Sequence, residues 1–277
     1  MFNPYQTHEV KIIDIIKETP NTRRFILAFK EKKIQKVFDF VPGQILEVSL
    51  PPYNEAPFAY CSSPLHHEYF EITIRAVGSL TNAMHKLKKG DTFGVRGPYG
   101  NGWPMQEIKN RNILMIAGGI GLIPFRPLIK YICENSEEFT KNIQLFYGAK
   151  SEDDLIFKKE YKKWCKNINL HITLDRGKPK KVAGLFCDIG LITTLFDKVK
   201  VFPKSLALVC GPPIMCKFVV RKLKALRFSD RDIYLSLERK MECAVGICEH
   251  CAVGSFYVCK DGPVFQWSEI KHIKDVI

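Results

Sequence analysis

The sequence has no long hydrophobic run. Its longest apolar stretch, residues 113–124, is too short and too rich in glycine to cross a bilayer. The first residues, MFNPYQTHEV, contain no apolar segment of the kind found in signal peptides. From these two absences we expect a cytoplasmic protein with no membrane interaction.

The sequence also lacks the features of nucleic-acid-binding proteins. No basic segment is interleaved with aromatic residues, and no zinc-finger or helix-turn-helix pattern is present. The formal net charge is nevertheless +13, and two interpretations stay open. The lysines could form a basic face that docks an acidic partner such as a ferredoxin or an acidic subunit. Their spread along the chain, in segments such as KKEYKKW, GKPKK and RKLKALR, favours scattered solubilising residues instead.

Internal repeats and low-complexity linkers are absent, but the pattern of apolar residues changes near residue 105. Before it, short alternating segments such as YFEITIRAV predict an antiparallel β-barrel over residues 1–105. After it, unbroken apolar strands such as NILMIAG and LALVCG alternate with helical segments, among them a single helix predicted over DLIFKKEYKKWCK. This predicts an α/β nucleotide-binding domain with a parallel sheet over residues 106–235. A small C-terminal lobe, residues 236–277, follows.

Four of the ten cysteines crowd into 17 residues of this lobe: Cys243, Cys248, Cys251 and Cys259. A secreted disulfide scaffold would be shorter, so the cluster indicates a metal site. The C-x4-C-x2-C spacing is that of plant-type [2Fe–2S] ligands, with the fourth cysteine arriving later. Four thiolates also suit tetrahedral zinc, although zinc sites usually show two C-x2-C pairs. The spacing therefore favours a small iron–sulfur lobe, with zinc as the alternative.

Two glycine-rich turns follow strands of the α/β segment. Strand NILMI runs into Gly118, Gly119 and Gly121, and strand LALVC runs into Gly211 and Pro212. Such turns let a backbone approach a pyrophosphate at the N-terminus of a helix. Either turn alone is equally typical of any α/β protein, but the two in this order predict a pyridine-nucleotide site.

The order of the motifs FVPGQ, IRAVG, GDTFGVRGPYG, AGGIG, YGAK and CGPP resembles the ferredoxin–NADP reductase superfamily over nearly the whole chain. The C-terminal LERKMECAVGICEHC narrows the resemblance to flavin and [2Fe–2S] electron-transfer subunits. These are the gamma subunits of sulfhydrogenases and the B subunits of anaerobic sulfite reductases, with the electron-transfer subunit of dihydroorotate dehydrogenase more distant. The resemblance implies FAD in the barrel, NAD(P)H in the α/β domain and a [2Fe–2S] cluster in the lobe.

The resemblance also implies individual cofactor contacts. Those to the flavin are Pro57, Phe58, Ala59, Tyr60, Ser62, Ser63, Thr73, Ile74, Arg75, Gly78, Leu80 and Thr81. Compared with the superfamily motif, EAPFAYC keeps the aromatic residue as Tyr60, but Phe58 stands where the motif has arginine and Cys61 where it has a hydroxyl residue. Flavin contacts would then be mostly backbone and stacking, and for the two serines a plain turn is an equal alternative. Cys210 is implied to lie beside the reacting carbon of the nicotinamide.

The number of electrons carried by each cofactor sets the predicted function. NAD(P)H delivers two electrons, an iron–sulfur cluster accepts one, and a flavin can do both. We predict an NAD(P)H-dependent oxidoreductase that exchanges electrons with catalytic and iron–sulfur subunits of a larger complex. A zinc-bearing module that only senses the nucleotide and a stand-alone NAD(P)H:ferredoxin reductase stay open. Asp175 suits NADH and Arg176 suits NADPH, so the nucleotide stays open too.

Overall fold

The computed structural model describes residues 3–140 and 142–277. Residues 1 and 2 of the predicted barrel segment and residue 141 of the predicted α/β segment lie outside the described residues. The first part of the chain contains six strands: β1 (His8–Thr19), β2 (Thr22–Phe29), β3 (Ile45–Ser49), β4 (Ala56–Ala59), β5 (Phe70–Arg75) and β6 (Thr92–Tyr99). Two short helices lie in its connections: α1 (Lys32–Val37) and α2 (Ser79–Met84).

These six strands form an antiparallel sheet in the order β4-β3-β6-β1-β2-β5. An antiparallel bridge between Tyr60 and Ile72 joins the two outer strands, and the Cys61 N–H donates to the Glu71 carbonyl at 2.8 Å. The sheet therefore closes on itself, which confirms the predicted antiparallel barrel. Its inward residues are aromatic and β-branched, as the alternation in the sequence indicates.

The second part of the chain is built on a mixed sheet. Its strands are β7 (Ile113–Gly118), β8 (Ile143–Ala149), β9 (Asn169–Leu174), β10 (Lys180–Val182), β11 (Leu185–Ile189), β12 (Leu206–Cys210), β13 (Ile233–Ser236) and β16 (Val264–Gln266). The order is β10-β11-β9-β8-β7-β12-β13-β16, with the two outermost strands antiparallel and the others parallel. This confirms the predicted parallel α/β architecture.

Helices and a small hairpin complete this part. The α-helices are α3 (Met105–Ile108), α4 (Arg126–Glu134), α5 (Tyr161–Trp164), α6 (Leu195–Lys198), α7 (Pro213–Ala225) and α8 (Trp267–Ile270). The 3₁₀ segments are Gly119–Phe125, Ser136–Glu138, Glu152–Asp154, Lys158–Glu160, Ile192–Thr194 and Asp230–Asp232. The hairpin pairs β14 (Ala252–Val253) with β15 (Phe256–Tyr257). Within the described part of the chain, no helix is long and apolar enough to span a membrane.

Two features of this part differ from the sequence-based prediction. The single helix predicted over DLIFKKEYKKWCK is broken, because Leu155, Ile156 and Phe157 are all buried and Phe157 takes a left-handed conformation (φ 59°). Three consecutive buried residues do not fit one face of a helix. The boundary predicted after residue 235 falls inside β13, and the C-terminal lobe adds β16 to the sheet.

A buried group of charges joins the barrel to the α/β domain. Arg126, only 1% exposed at the start of α4, pairs with Glu71 of the barrel and with Glu160 at 2.6 Å. Arg24 of the barrel pairs with Glu71 at 3.0 Å and with Glu18 at 2.8 Å. Since both halves of the molecule supply charges of both signs, this network fixes how the two domains face each other.

A stacked aromatic pair makes a second contact between the domains. Trp103, which follows the barrel, lies parallel to Phe125 with ring centroids 4.6 Å apart. Its indole N–H donates to the Pro124 carbonyl at 3.0 Å. Phe125 and Pro124 both belong to the glycine-rich turn after β7, so Trp103 holds that turn directly against the barrel.

Candidate functional site

One cleft lies where the barrel, the α/β domain and the C-terminal lobe meet, and it holds about 1050 Å³ of space open to solvent. The barrel lines it with Gly43, Ile45, Pro57, Phe58, Ala59, Thr73, Arg75, Val77 and Thr81. The α/β domain adds Ile120, Gly121, Ile123, Pro124 and Cys210. The lobe adds Ser236, Leu237, Glu238, Arg239, Met241 and Pro263. A mostly apolar lining with few polar groups is typical of sites for flat organic cofactors.

The side chain of Arg75 faces this cleft. Arg75 stands at the end of β5, and its Nε is buried with no hydrogen-bond partner in the described ranges 3–140 and 142–277. Burial raises the pKa of the nearby Glu238 carboxyl, and the charge of Arg75 lowers it in part. A buried donor left unpaired costs about 1–3 kcal/mol. Arg75 is therefore suited to an anionic ligand group such as a phosphate.

The two glycine-rich turns of the α/β domain pack directly against each other. A methyl group at Gly121 would overlap the carbonyl of Cys210, and one at Gly118 would overlap the sulfur of Met215. The neighbour of Gly118 is the flexible side chain of Met215, whereas glycine is required at Gly121 because the backbone at the carboxyl end of β12 approaches so closely. This contact forms one wall of the cleft.

Cys210 presents a neutral thiol to the cleft. Its side chain is 3% exposed. Burial raises the pKa of Cys210 well above its usual value, the negative charge of Glu238 adds to this, and a hydrogen bond from Ser236 opposes it. The thiol is therefore protonated at neutral pH and acts by shape and as a weak donor, not as a nucleophile.

The first half of the cysteine loop wraps its backbone N–H groups around a sulfur. The Sγ of Cys243 accepts from the N–H groups of Val245, Ile247 and Cys248, each at 3.4 Å. Burial raises the pKa of Cys243, but these three bonds outweigh it, so the pKa lies below its usual value. Hydrogen bonds from the backbone of His250 and Cys243 likewise lower the pKa of Cys248. This half of the loop thus favours thiolates.

The second half brings two sulfurs together. Cys251 and Cys259 have their Sγ atoms 3.3 Å apart, and Gly246 donates its N–H to the Cys259 Sγ at 3.2 Å. Burial raises the pKa of Cys259 to about 12, and the neighbouring sulfur adds to this. A bound metal ion supplies the positive charge that removes such a proton. The N–H donors and the close sulfurs fit an anionic iron–sulfur cluster.

Family models match three successive segments of the chain. An oxidoreductase FAD-binding domain matches residues 9–103, and an oxidoreductase NAD-binding domain matches residues 115–221. The iron–sulfur cluster binding domain of dihydroorotate dehydrogenase B matches residues 238–271. These three segments supply the barrel, α/β and lobe walls of the cleft.

Relatives align with nearly the whole chain. The sulfhydrogenase 2 gamma subunit of Pyrococcus furiosus is 38% identical over 285 aligned positions, which cover 96% of each chain. The chain belongs to this family of electron-transfer subunits. A probable dihydroorotate dehydrogenase B electron transfer subunit of Methanocaldococcus jannaschii is 34% identical, over 96% of this chain and 91% of the relative.

A solved structure shows that the fold is shared more widely. The NADH-dependent reduced ferredoxin–NADP oxidoreductase aligns with a TM-score of 0.72 at 24% identity, over 98% of this chain and 93% of that one. The predicted superfamily is confirmed, as are an oxidoreductase and its FAD, NAD(P)H and iron–sulfur cofactors.

The structure of this family member brings part of the predicted site together. The predicted residues that line the cleft are Pro57, Phe58, Ala59, Thr73, Arg75, Thr81, Gly121 and Cys210. Those that lie outside the lining are Tyr60, Ser62, Ser63, Ile74, Gly78, Leu80, Gly118, Gly119, Gly211 and Pro212. The second group mostly builds the walls behind the first.

The structure places Tyr60, a predicted flavin contact, inside the barrel and not in the cleft lining. Tyr60 is 2% exposed and stacks on Phe40 with centroids 4.4 Å apart, inside the barrel. Strand β4 ends at Ala59, and Tyr60 turns inward where the barrel closes. The aromatic side chain that lines the cleft is Phe58.

The predicted serines and Ile74 also face away from the cleft. The Ser62 hydroxyl accepts from the Glu71 N–H at 3.2 Å, and the Ser63 hydroxyl donates to Glu134 of α4. Both serines are buried, and Ile74 lies in the barrel core. The serines therefore act in the domain contact, because their hydroxyls are already occupied there.

Sequence reasoning missed the lobe side of the cleft. Ser236, Glu238 and Met241 line it directly after strand β13. Their position at the end of the apolar strand DIYLSL could have indicated this, because ligands of α/β sheets bind beyond the carboxyl ends of parallel strands.

Proposed function

We propose that this chain carries electrons between NAD(P)H and a catalytic subunit of a larger redox complex, through FAD in the cleft and a [2Fe–2S] cluster in the cysteine loop. One observation carries the proposal: Met241 lines the cleft and Cys243 follows two residues later. At most about 7 Å of chain thus separates the cleft wall from the first cysteine. When bound, FAD takes up two electrons as a hydride and gives them up singly.

The proposed cluster ligands are the four clustered cysteines, in the pairs Cys243 with Cys248 and Cys251 with Cys259. The first pair is linked by a side-chain hydrogen bond and the second by the 3.3 Å sulfur contact. Across residues 3–140 and 142–277, no three His, Cys, Asp or Glu side chains are placed to hold one metal ion together. Sulfurs paired two by two suit a cluster with two irons better than a single zinc ion.

Within the cleft, the barrel residues would hold FAD. Phe58 offers a ring for stacking, and Arg75 and Thr81 offer donors for its phosphates. Gly121 and Cys210 on the opposite wall would receive the nicotinamide. The two residues exclude water and set the approach of the two rings, which is the part of hydride transfer that a protein controls.

The partner and compartment follow from the relatives and the cysteines. The relatives are named as subunits of sulfhydrogenase and of dihydroorotate dehydrogenase B, which supports work inside a complex. All ten cysteines are free. Free thiols are usual in a reducing compartment, which supports a cytoplasmic complex.

An anaerobic absorption spectrum with iron, sulfide and zinc analysis tests this function. We expect about two irons and two sulfides per chain, oxidised flavin bands, and bleaching of both by NADH or NADPH. The more effective nucleotide identifies the physiological donor. A colourless protein that contains zinc would refute the proposal.

Two exposed cysteines provide a matched pair of variants that tests whether Cys248 is a cluster ligand. Cys248 lies in the loop and Cys165 lies in the α/β domain, and both are exposed. Cys248→Ser should lower the iron content or change the EPR spectrum of the reduced cluster, while Cys165→Ser should change neither. Equal spectra for both variants would remove Cys248 from the ligands.

Replacing Cys210 by alanine should slow flavin reduction by NAD(P)H about 10- to 100-fold while FAD stays bound. The thiol sets the wall against which the nicotinamide packs, and its loss leaves the ring less well placed. Stopped-flow absorbance measures the rate. Cys216→Ala is the control, because Cys216 is equally buried on helix α7 but lies outside the cleft lining. An unchanged rate in Cys210→Ala would exclude this role.

A further inference from the structure

Arg96 connects the barrel to the cysteine loop. It lies in β6 and is 4% exposed, and its Nη1 and Nη2 donate to the carbonyls of Cys243 at 2.8 Å and Glu242 at 3.0 Å. Its Nε donates to Glu55 at 2.8 Å, Nη2 lies 2.6 Å from the same carboxylate, and Nη1 also donates to the Tyr99 hydroxyl at 3.1 Å. All five N–H groups of the guanidinium are therefore used.

These bonds set the direction of the peptide groups in the loop. A trans peptide points its C=O and N–H in opposite directions, so carbonyls held toward Arg96 turn the following N–H groups away from it. The N–H groups opposite these two carbonyls are those of Cys243 and of the residue after it. Further along the loop, the N–H groups of Val245, Ile247 and Cys248 point to the Cys243 sulfur. Arg96 thus fixes the two peptide groups on either side of Cys243, at the start of the segment that encloses this sulfur.

The guanidinium of Arg96 also places a buried positive charge beside Cys243. Reduction of an iron–sulfur cluster adds one negative charge, which a nearby cation stabilises and a nearby carboxylate opposes. Glu55 is the carboxylate paired with Arg96, and it is partly exposed. The two side chains should therefore shift the reduction potential in opposite directions.

We infer that Arg96 is a positioning residue for the cluster, which orients its first ligand segment and raises its reduction potential. This inference rests on the proposed function, because it needs the cysteine loop to hold the cluster. Arg96 belongs to the FAD-binding barrel and contacts the iron–sulfur lobe, and it lies outside the cysteine motif.

The test compares full-length holoprotein carrying Arg96→Gln, Glu55→Gln or Arg111→Gln with the unchanged protein. EPR-monitored redox titration gives the cluster potential, and the flavin potential in the same samples is the internal reference. Arg111→Gln is the matched control, because Arg111 also binds one carboxylate (Asp232, 2.8 Å) and one carbonyl (Lys204, 3.2 Å), but in the α/β domain.

Arg96→Gln should lower the equilibrium constant for cluster reduction about tenfold, which is 59 mV for one electron. It should also shift the EPR g values, since the loop loses its fixed carbonyls. Glu55→Gln should change the constant in the opposite direction, and Arg111→Gln should leave it unchanged.

The outcomes separate the inference from the proposed function. If the unchanged protein has no cluster, the proposed function fails. If the cluster is present and its potential and g values are the same in Arg96→Gln and Glu55→Gln, the inference alone is overturned. If Arg96→Gln does not retain iron, Glu55→Gln decides: a raised potential supports the inference, and an unchanged or lowered one overturns it.

Discussion

Replacing Arg126 by methionine should lower the free energy of unfolding by about 3–5 kcal/mol. Arg126 is 1% exposed and pairs with Glu71 and Glu160, so the variant leaves two carboxylates facing each other in the domain contact. Burial raises the pKa of Glu71, but the charges of Arg126 and Arg24 outweigh it and hold the pKa below its usual value. Without Arg126, positive charge no longer outweighs the effect of burial on the pKa of Glu71. Urea unfolding of the holoprotein, followed by tryptophan fluorescence, measures the change.

A surface pair and a double variant control this experiment. Lys222→Met breaks a solvent-exposed pair with Asp197, and it should change stability by less than about 1 kcal/mol. Adding Glu71→Leu to Arg126→Met removes one of the two carboxylates that lost a partner, and it should restore part of the lost stability. A loss from Arg126→Met no larger than that from Lys222→Met would show that the network does not hold the domains.

The architecture could be predicted because it depends on local patterns. Alternating residues in YFEITIRAV and the unbroken apolar run in NILMIAG specify strands with one or two buried faces. The glycine at 121 is required by its packing against the backbone at the end of β12, and that requirement is visible as a motif. The cysteine spacing is equally local. These features need few contacts between distant parts of the chain.

The contacts that complete the site depend on residues far apart in sequence. Arg96 meets a carbonyl 147 residues away, and Arg126 meets a barrel carbonyl 65 residues away. A single arginine in a strand or a helix is most often a surface residue, so nothing in its neighbours marks it as buried. The position of Tyr60 inside the barrel could not be predicted for a related reason. It depends on where one strand ends and the barrel closes, which tertiary packing decides.

Glu47→Gln should make the protein more stable at high pH but not at low pH. Burial raises the pKa of Glu47 to about 8, Glu55 and Glu242 add to this, and Arg96 lowers it in part. Among the described residues, neither carboxyl oxygen has a hydrogen-bond partner. Between pH 4.5 and 8 the folded protein keeps a proton that the unfolded chain has lost, so stability falls as the pH rises through this window. A pKa raised from 4.5 to about 8 corresponds to about 5 kcal/mol.

Urea unfolding at pH 5 and at pH 9 measures this difference. The glutamine variant carries no such proton, so its advantage over the unchanged protein should grow from near zero at pH 5 to several kcal/mol at pH 9. Glu137→Gln is the control, because the exposed Glu137 carboxyl makes no salt bridge among the described residues and should give the same small effect at both pH values. If the stabilities of Glu47→Gln and the unchanged protein differ by the same amount at both pH values, the folded protein does not hold this proton, and the carboxylate must be stabilised where it lies.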